Sequence, residues 1–189
     1  MSLHLLEKNT LAGNLSNRGG NVKRIYLIRH AKSSWSNPDL DDFSRPLNKR
    51  GKEDCPKMAA RLVAAGIRPD LIVASPAKRA RKTAICMAKG TGYAQEAIRF
   101  DDELYLGALS YHLQLLEELL HKVNVLFLVG HNPAITELGE HLTGSSLGNV
   151  PTCGIVGVEY PAQQGFSSEE GAGRLLFFDF PKKPASPTD

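Results

Sequence analysis

The feature that most restricts the fold of this chain is the alternation of short apolar runs with segments of helical spacing. Apolar runs of strand length occur at four places, 23–28, 70–74, 97–100 and 123–129. Segments with helical spacing lie between or after them, at 48–66, 77–89, 110–121 and from Pro133 onward. Strands that alternate with helices pair mostly in parallel and are covered by helices on both faces. The sequence therefore predicts an α/β fold, a three-layer α/β/α sandwich with a mostly parallel central sheet.

The segment 48–66 shows the helical pattern most clearly. The i, i+3, i+4, i+7, i+8 spacing of a buried helix face is followed by Cys55, Met58, Ala59, Leu62 and Val63. The pattern stops at Gly66, a residue type that commonly follows the end of a helix. We therefore expect an amphipathic helix that packs one face against the sheet.

The C-terminal part of the chain predicts a different strand arrangement. Two runs of strand character, 154–160 and 173–180, are joined by a loop rich in Gly, Ser and Glu. A direct connection without a helix joins antiparallel strands, so this pair should form an antiparallel edge of the sheet. One domain over residues 23–180 is expected, with a mobile lead at 1–22 and a disordered tail at 181–189.

Composition and charge argue against several classes of protein. The 23 basic and 20 acidic side chains give a net charge of only +3, too little to indicate a nucleic-acid-binding protein. No apolar run reaches the ~18 residues of a membrane span, and the N-terminal segment lacks a basic start with a long apolar core. The expectation is a cytoplasmic protein without a membrane or nucleic-acid partner. The three cysteines are widely spaced and lack histidines at metal-ligand spacing, so they are expected to be reduced core residues.

Arginine and histidine side chains follow three of the predicted strands, near the points where those strands end. Arg29 and His30 follow the first strand, Arg79 comes shortly after the second, and His131 follows the run at 123–129. In an open α/β sheet, ligands bind where the carboxyl ends of strands meet the first turns of helices. We therefore expect these four side chains to meet at one edge of the sheet. Arg81, in the same helix, is the alternative to Arg79.

This combination of side chains indicates a phosphoryl group as the ligand. A guanidinium fork matches the geometry of phosphate oxygens, and N–H groups at a helix start attract an anion as well. In such a pocket a neutral imidazole can attack phosphorus as a nucleophile, and the cations stabilise the negative charge of the transition state. The same cations lower the pKa of a histidine, which favours the neutral form.

The same residues carry a family resemblance. RHA at 29–31, SPAKRARKTA at 75–84 and GHNP at 130–133 resemble, in order and placement, the motifs of the histidine phosphatase superfamily, whose fold is phosphoglycerate mutase-like. RHAKSSW followed by DDFSRPLNKRG at 41–51 is similar to the small SixA-type phosphohistidine phosphatases. Ala31 stands where the superfamily commonly has glycine, a form that SixA-like sequences accept.

The resemblance implies a role for each motif residue. His30 would be the nucleophile that is transiently phosphorylated, and Arg29, Arg79 and His131 would hold the phosphoryl group. No metal and no organic cofactor are implied. The expected activity is that of a phosphatase acting on phosphohistidine in a protein or on a small phosphoester. The short connections between elements predict an open pocket, which suits a protein-borne substrate.

Three further residues are candidates for substrate binding. Lys32 and Arg45 have the charge to recognise a phosphate or its acidic surroundings, although an exposed role fits Lys32 equally well. Asp42 is placed to pair with Arg45 and to order its loop. Glu103 is the acid at the place where larger members of the superfamily supply a proton to the leaving oxygen. Trp35 is expected to serve in ordinary packing, with lining of the pocket or contact with a partner protein as the alternatives.

Other functions fit parts of the sequence. A mutase would have to exclude water, which the short connections disfavour. A non-catalytic module could bind phosphorylated protein through the same basic pocket, but all four motif residues of a phosphatase are present. An RNA-binding domain could use the basic run KRARK at 78–82, but an aromatic recognition motif is lacking. The sequence does not predict an oligomeric state.

Overall fold

A computed structural model describes residues 22–183 of the chain. Within this range the strands are β1 (Lys23–Arg29), β2 (Leu71–Ala74), β3 (Arg99–Phe100), β4 (Val125–Gly130), β5 (Ile155–Tyr160) and β6 (Arg174–Asp179). The α-helices are α1 (Lys49–Ala64), α2 (Lys78–Thr91), α3 (Leu109–Leu120) and α4 (Ala134–Thr143). Short 3-10 helices, Gln95–Ala97 and Asp102–Leu104, flank β3. The expected lead and tail lie outside the described residues, apart from Val22 and a turn at 181–183.

The strands form one sheet in the order β3-β2-β4-β1-β5-β6. The first four strands in this order pair in parallel, whereas β5 pairs antiparallel with both β1 and β6. The predicted α/β class, with a mostly parallel sheet and an antiparallel edge, is confirmed. β1 lies inside the sheet between β4 and β5, so its main chain forms hydrogen bonds with a neighbouring strand on each side.

Alternate residues of β1 face two different cores. Tyr26 and Ile28 pack with the apolar side chains of α1 and α2. Ile25 and Leu27 belong to the second core, with the apolar side chains of α3 and α4. Successive side chains of a strand point to opposite faces, so a strand covered on both sides needs a continuous apolar run, as β1 has. The helices thus form the two outer layers of the predicted sandwich.

The start of α1 fixes the backbone that follows β1. The side chain of Asn48 caps α1 by accepting the Gly51 N–H at 2.8 Å, and the Asn48 N–H donates to the Lys32 carbonyl at 3.0 Å. A Cβ at Gly51 would lie 2.2 Å from the Lys32 carbonyl oxygen, so glycine is needed for α1 to approach this closely. The residues after β1 are therefore held against the first turn of α1.

Some element boundaries differ from the sequence expectation. The run at 97–100 contributes only Arg99–Phe100 to the sheet, because the preceding residues form a 3-10 helix. β2 begins at Leu71 rather than at Asp70, whose carboxylate accepts two N–H groups where β4 begins.

None of the described helices combines the length and the hydrophobicity needed to cross a lipid bilayer.

Candidate active site

Three strand ends meet at one edge of the sheet. β1 lies next to β4, and their register pairs Arg29 with Gly130. The His30 N–H donates to the Gly130 carbonyl at 3.0 Å, and the Ser75 N–H donates to the Val129 carbonyl at 3.0 Å. The carboxyl ends of β1, β2 and β4 are thereby neighbours. The structure brings together all four predicted motif residues, Arg29, His30, Arg79 and His131.

The hydrogen bonds of His30 leave one ring nitrogen unprotonated. Its Nδ1 lies 2.8 Å from the Ala31 carbonyl oxygen, which can only accept, so Nδ1 carries the proton. Nε2 therefore presents a lone pair, and the Arg79 Nε–H donates to it at 3.2 Å. Burial lowers the pKa of His30 to about 4, opposed by the bond to Ala31 and reinforced by the charges of Arg79 and Arg29. The imidazole is neutral at physiological pH.

His131 lies beside His30, with 5.0 Å between the ring centroids. Its Nε2 lies 2.9 Å from the Ser75 hydroxyl, which already accepts the Ala77 N–H. When this hydroxyl donates its own proton to Nε2, His131 is the tautomer with the proton on Nδ1. In that tautomer Nδ1 carries a proton, which no described protein atom accepts. Burial lowers the pKa of His131 to about 3, and repulsion from His30, once that imidazole is protonated in acid, is the second cause.

Arg29 is anchored through one end of its guanidinium. Its Nη1 donates to the Val150 carbonyl at 2.7 Å and lies 3.5 Å from the Asn149 side-chain oxygen. Its Nε is buried and has no hydrogen-bond partner among the described residues. Burial lowers its pKa, but a guanidinium keeps its charge at neutral pH. A buried donor of this kind is costly unless a ligand supplies an acceptor.

Arg79, in the first turn of α2, joins His30 to the loop that follows β1. While its Nε donates to His30, its Nη1 donates to the backbone carbonyl of Asp42 and its Nη2 to the carboxylate of Asp42 at 2.7 Å. Arg81, the alternative in the same helix, instead lies over Phe100, 4.0 Å from the ring centroid. Of the two arginines, the geometry therefore selects Arg79.

Asp42 connects the guanidinium groups on the outer side of the site. Its carboxylate accepts hydrogen bonds from Arg79, from Arg45 Nη1 at 2.7 Å and from the Tyr105 hydroxyl at 2.8 Å. Burial raises the pKa of this carboxyl, but the hydrogen bonds from Tyr105 and the two arginines outweigh burial and hold the pKa well below its usual range. The predicted pairing of Asp42 with Arg45 is confirmed, and the carboxylate is ionised.

The three residues predicted to bind substrate occupy different positions. Arg45 is buried. Its Nε donates to the Ser34 carbonyl and its Nη2 to the Ser33 hydroxyl, so it orders the loop 33–47. Lys32 and Glu103 are exposed, and neither side chain makes a hydrogen bond within the described part of the chain. Their roles as substrate ligands stay predictions.

Two aromatic residues differ from the sequence expectation. The sequence does not single out Tyr105, yet its ring lies edge-on to His131, with 5.4 Å between centroids. Its one sequence signal is its place two residues after Glu103. The expectation that Trp35 serves in ordinary packing is wrong: this residue is 74% exposed, and its ring lies 3.1 Å from the guanidinium carbon of Arg45. The loop that follows β1 carries Trp35 outside the core.

Comparison with known proteins agrees with this geometry. The sequence profile of the histidine phosphatase superfamily (branch 1) matches residues 25–110. An uncharacterized chloroplastic protein of Arabidopsis thaliana is 33% identical over an alignment of 142 residues, and the match covers 69% of this chain and 63% of the Arabidopsis protein. The chain therefore spans less than two thirds of the length of this curated relative.

Solved structures extend the match to nearly whole chains. A protein from Agrobacterium tumefaciens assigned as the phosphohistidine phosphatase SixA is 30% identical, with a TM-score of 0.70 over 82% of this chain and 96% of that protein. The protein histidine phosphatase SixA complexed with tungstate shares the fold at 20% identity, with a TM-score of 0.72 over 84% of this chain and 97% of that one. On this sequence and structural similarity, the chain belongs to the histidine phosphatase superfamily and is of the SixA type.

Proposed function

We propose that this protein is a phosphatase that removes the phosphoryl group from phosphohistidine in a protein substrate. Membership of the histidine phosphatase superfamily supports a phosphatase. The observation that carries the proposal is the state of His30, whose neutral imidazole presents its Nε2 lone pair to Arg79 inside a cluster of arginines. A nucleophile in this state can attack phosphorus without first losing a proton.

Two buried donors mark where phosphoryl oxygens would bind. Arg29 Nε and His131 Nδ1 are both buried, and neither has a partner among the described residues. An anionic oxygen is the acceptor that compensates such donors best, because hydrogen bonds to a charged group are the strongest. Both residues lie near His30, because the charge of Arg29 lowers the pKa of His30 and the centroid of the His131 ring lies 5.0 Å from that of His30. A phosphoryl group beside Nε2 would therefore satisfy them together.

In the first step, His30 Nε2 forms a bond to phosphorus while the bond between phosphorus and the substrate imidazole breaks. The electron pair of the broken bond stays on the substrate nitrogen, which takes a proton from solvent. The Arg79 Nε–H, which donates to Nε2 in the free protein, turns to a phosphoryl oxygen because the lone pair of Nε2 is now shared with phosphorus. The neighbouring cations stabilise the charge on the phosphoryl oxygens in the transition state.

In the second step, water attacks the phosphorus of phosphorylated His30. The new P–O bond forms as the P–Nε2 bond breaks, Nε2 regains its lone pair, and the proton of the water passes to phosphate or solvent. Nδ1 can keep its hydrogen bond to Ala31 throughout, because the reaction does not use this nitrogen. The ring therefore holds one orientation through both steps.

The charges around the site favour a nitrogen-linked phosphoryl group over an ester. An alkoxide needs a general acid to leave, whereas imidazole is a much better leaving group. Asp42 is ionised and has no proton to give, and Glu103 is exposed without a side-chain hydrogen bond to the described residues. The Agrobacterium relative, 30% identical, is assigned as a phosphohistidine phosphatase, which supports the same substrate class here.

Release of inorganic phosphate tests the proposal directly. The wild type should release phosphate from a phosphohistidine peptide faster than from an aryl phosphate. Rapid quenching should trap a phosphoryl group on His30 that is labile in acid and stable in alkali. His30→Asn retains an N–H for the Ala31 carbonyl and should lose both the turnover and the trapped intermediate.

His121→Asn is the control variant, because His121 is exposed at the end of α3. It should keep both the turnover and the trapped intermediate. Turnover by His30→Asn, or a phosphoryl group trapped on another residue, would contradict the mechanism. Binding of the phosphopeptide by the wild type without release of phosphate would favour the non-catalytic binding module.

A further inference from the structure

The large apolar side chains that are exposed in the described part of the chain all lie on two loops beside the site. Trp35 and Leu106 are 74% and 84% exposed, and Leu40 and Phe43 are 37% and 40% exposed. The first loop follows β1 and carries three of them, and the second follows the 3-10 helix after β3 and carries Leu106. These four residues form the apolar rim.

The apolar rim is continuous with the site. The Phe43 ring lies edge-on to Tyr105, with 5.1 Å between centroids, and Tyr105 lies in turn against His131. In the same loop, Trp35 lies over the guanidinium of Arg45, which shares the Asp42 carboxylate with Arg79. A macromolecule that places a phosphoryl group beside His131 would therefore lie close to Phe43 and to the loop that carries it.

The backbone that carries the rim is held in place. Ser33 and Leu47 form a β-bridge at the base of the loop 33–47. Near its tip, the Phe43 carbonyl accepts the Lys78 N–H at the start of α2 at 3.0 Å. The apolar side chains are thus presented on an ordered backbone, which lowers the entropy cost of binding a partner.

We propose that the apolar rim is the docking surface for a protein segment that carries apolar side chains on either side of its phosphohistidine. This inference rests on the proposed function, which puts the phosphoryl group next to the rim. Charge and hydrophobicity are complementary there, because the arginine cluster attracts the phosphoryl group while the rim covers apolar surface of the partner. A small phosphorylated molecule bound between Arg29 and His30 would leave the rim in water.

The area of the apolar rim argues against a second copy of this chain as the occupant. A stable dimer buries about 800 Å² on each partner. Four side chains, two of them less than half exposed, offer well under that area. A substrate segment needs only a transient contact, because the enzyme must release the segment after hydrolysis.

Two phosphohistidine peptides of equal length and equal charge test the proposal. One carries leucine and phenylalanine at the positions that flank the phosphohistidine, and the other carries serine and glutamine. The wild type should prefer the apolar peptide by about tenfold in kcat/KM, the effect expected from partly burying one or two apolar side chains. The double variant Leu40→Ser/Leu106→Ser should reduce this preference to about twofold or less. Trp35→Gln, an independent variant on the same surface, should reduce it as well.

Phosphoramidate, a small nitrogen-linked phosphoryl compound, is the control substrate. The double variant should hydrolyse it at the wild-type rate, since its substituted side chains lie outside the site. An equal loss on peptides and phosphoramidate, or an unchanged peptide preference, would overturn the docking surface and leave the proposed function standing. A dimer in sedimentation that Leu106→Ser dissociates would also overturn it and assign the rim to a second copy. No hydrolysis of any of these substrates by the wild type would overturn both proposals.

Discussion

Acidification should destabilise this protein through its two buried active-site histidines. In the folded state the pKa values of His30 and His131 lie at about 4 and about 3, below the ordinary value of 6.5. As the pH falls through 6.5, the unfolded chain binds a proton at each imidazole while the folded chain does not. The free energy of unfolding therefore decreases from about pH 7 downward, until the folded chain also binds protons near pH 4.

The size of the effect at pH 5 follows from proton linkage. Because both folded-state pKa values lie below pH 5, the decrease in the free energy of unfolding at that pH depends almost entirely on the pKa of 6.5 in the unfolded chain. It amounts to about 2 kcal/mol per histidine. The sum of about 4 kcal/mol is a large part of a typical unfolding free energy of about 5–15 kcal/mol. Carboxyls with lowered pKa values, such as Asp42 and Glu159, lose their stabilising contribution only below about pH 5. The range from pH 8 to pH 5 thus separates the contribution of His30 and His131 from that of the carboxyls.

Urea unfolding at pH 8 and pH 5, followed by circular dichroism, measures this loss. Fluorescence is less suitable, because the one tryptophan of the chain, Trp35, is 74% exposed. His30→Asn and His131→Gln replace each imidazole by an uncharged amide, so each should remove about 2 kcal/mol of the pH dependence, and the double variant should remove nearly all of it. His121→Gln, at an exposed position, should behave like the wild type. A wild-type change below about 1 kcal/mol, or full pH dependence in the double variant, would refute the neutral state of the two imidazoles.

Activity measurements separate the roles of the neighbouring side chains. Because the pKa of His30 is lowered to about 4, the pH–rate profile on a phosphohistidine peptide should vary by less than about twofold between pH 7 and pH 5.5. A loss of about tenfold over this range would indicate an unshifted histidine. Arg79→Ala should lower kcat/KM by about a hundredfold, whereas Arg81→Ala should stay near the wild type; similar losses in both would contradict the geometry. Glu103→Gln should keep wild-type phosphate release from the peptide, and equal large losses on the peptide and on an aryl phosphate would instead identify a general acid.

The sheet and the meeting of the four motif residues can be predicted from the sequence, because both depend on local patterns. An apolar run of strand length fixes β1, and the end of that run fixes where Arg29 and His30 stand. Parallel strands connected by helices bring their carboxyl ends to one edge of the sheet. Residues far apart along the chain, such as His30 and His131, therefore meet without further information.

The contacts between loops cannot be predicted in this way. The Tyr105 hydroxyl reaches Asp42 across 63 positions of the sequence, and both residues lie outside the strands and α-helices. No period or spacing connects two loops, because their meeting depends on the path that each takes away from the sheet. The exposure of Trp35 has the same origin: large aromatic residues are mostly buried, but here the loop carries the ring onto the surface over Arg45.

In the free protein, the Asp42 carboxylate already pairs with the guanidinium of Arg79, which is expected to bind substrate. All three nitrogen atoms of the Arg79 guanidinium donate to protein atoms, Nε to His30 and the other two to Asp42. A phosphoryl group can bind Arg79 only by replacing hydrogen bonds that Arg79 already makes to His30 or Asp42. The affinity for the phosphoryl group therefore reflects the difference between the hydrogen bonds formed and those broken. Asp42 also offsets the repulsion between Arg45 and Arg79 before substrate binds. The cations are thus held beside the site in advance, so that substrate binding exchanges hydrogen bonds at Arg79 instead of bringing the positive charges together.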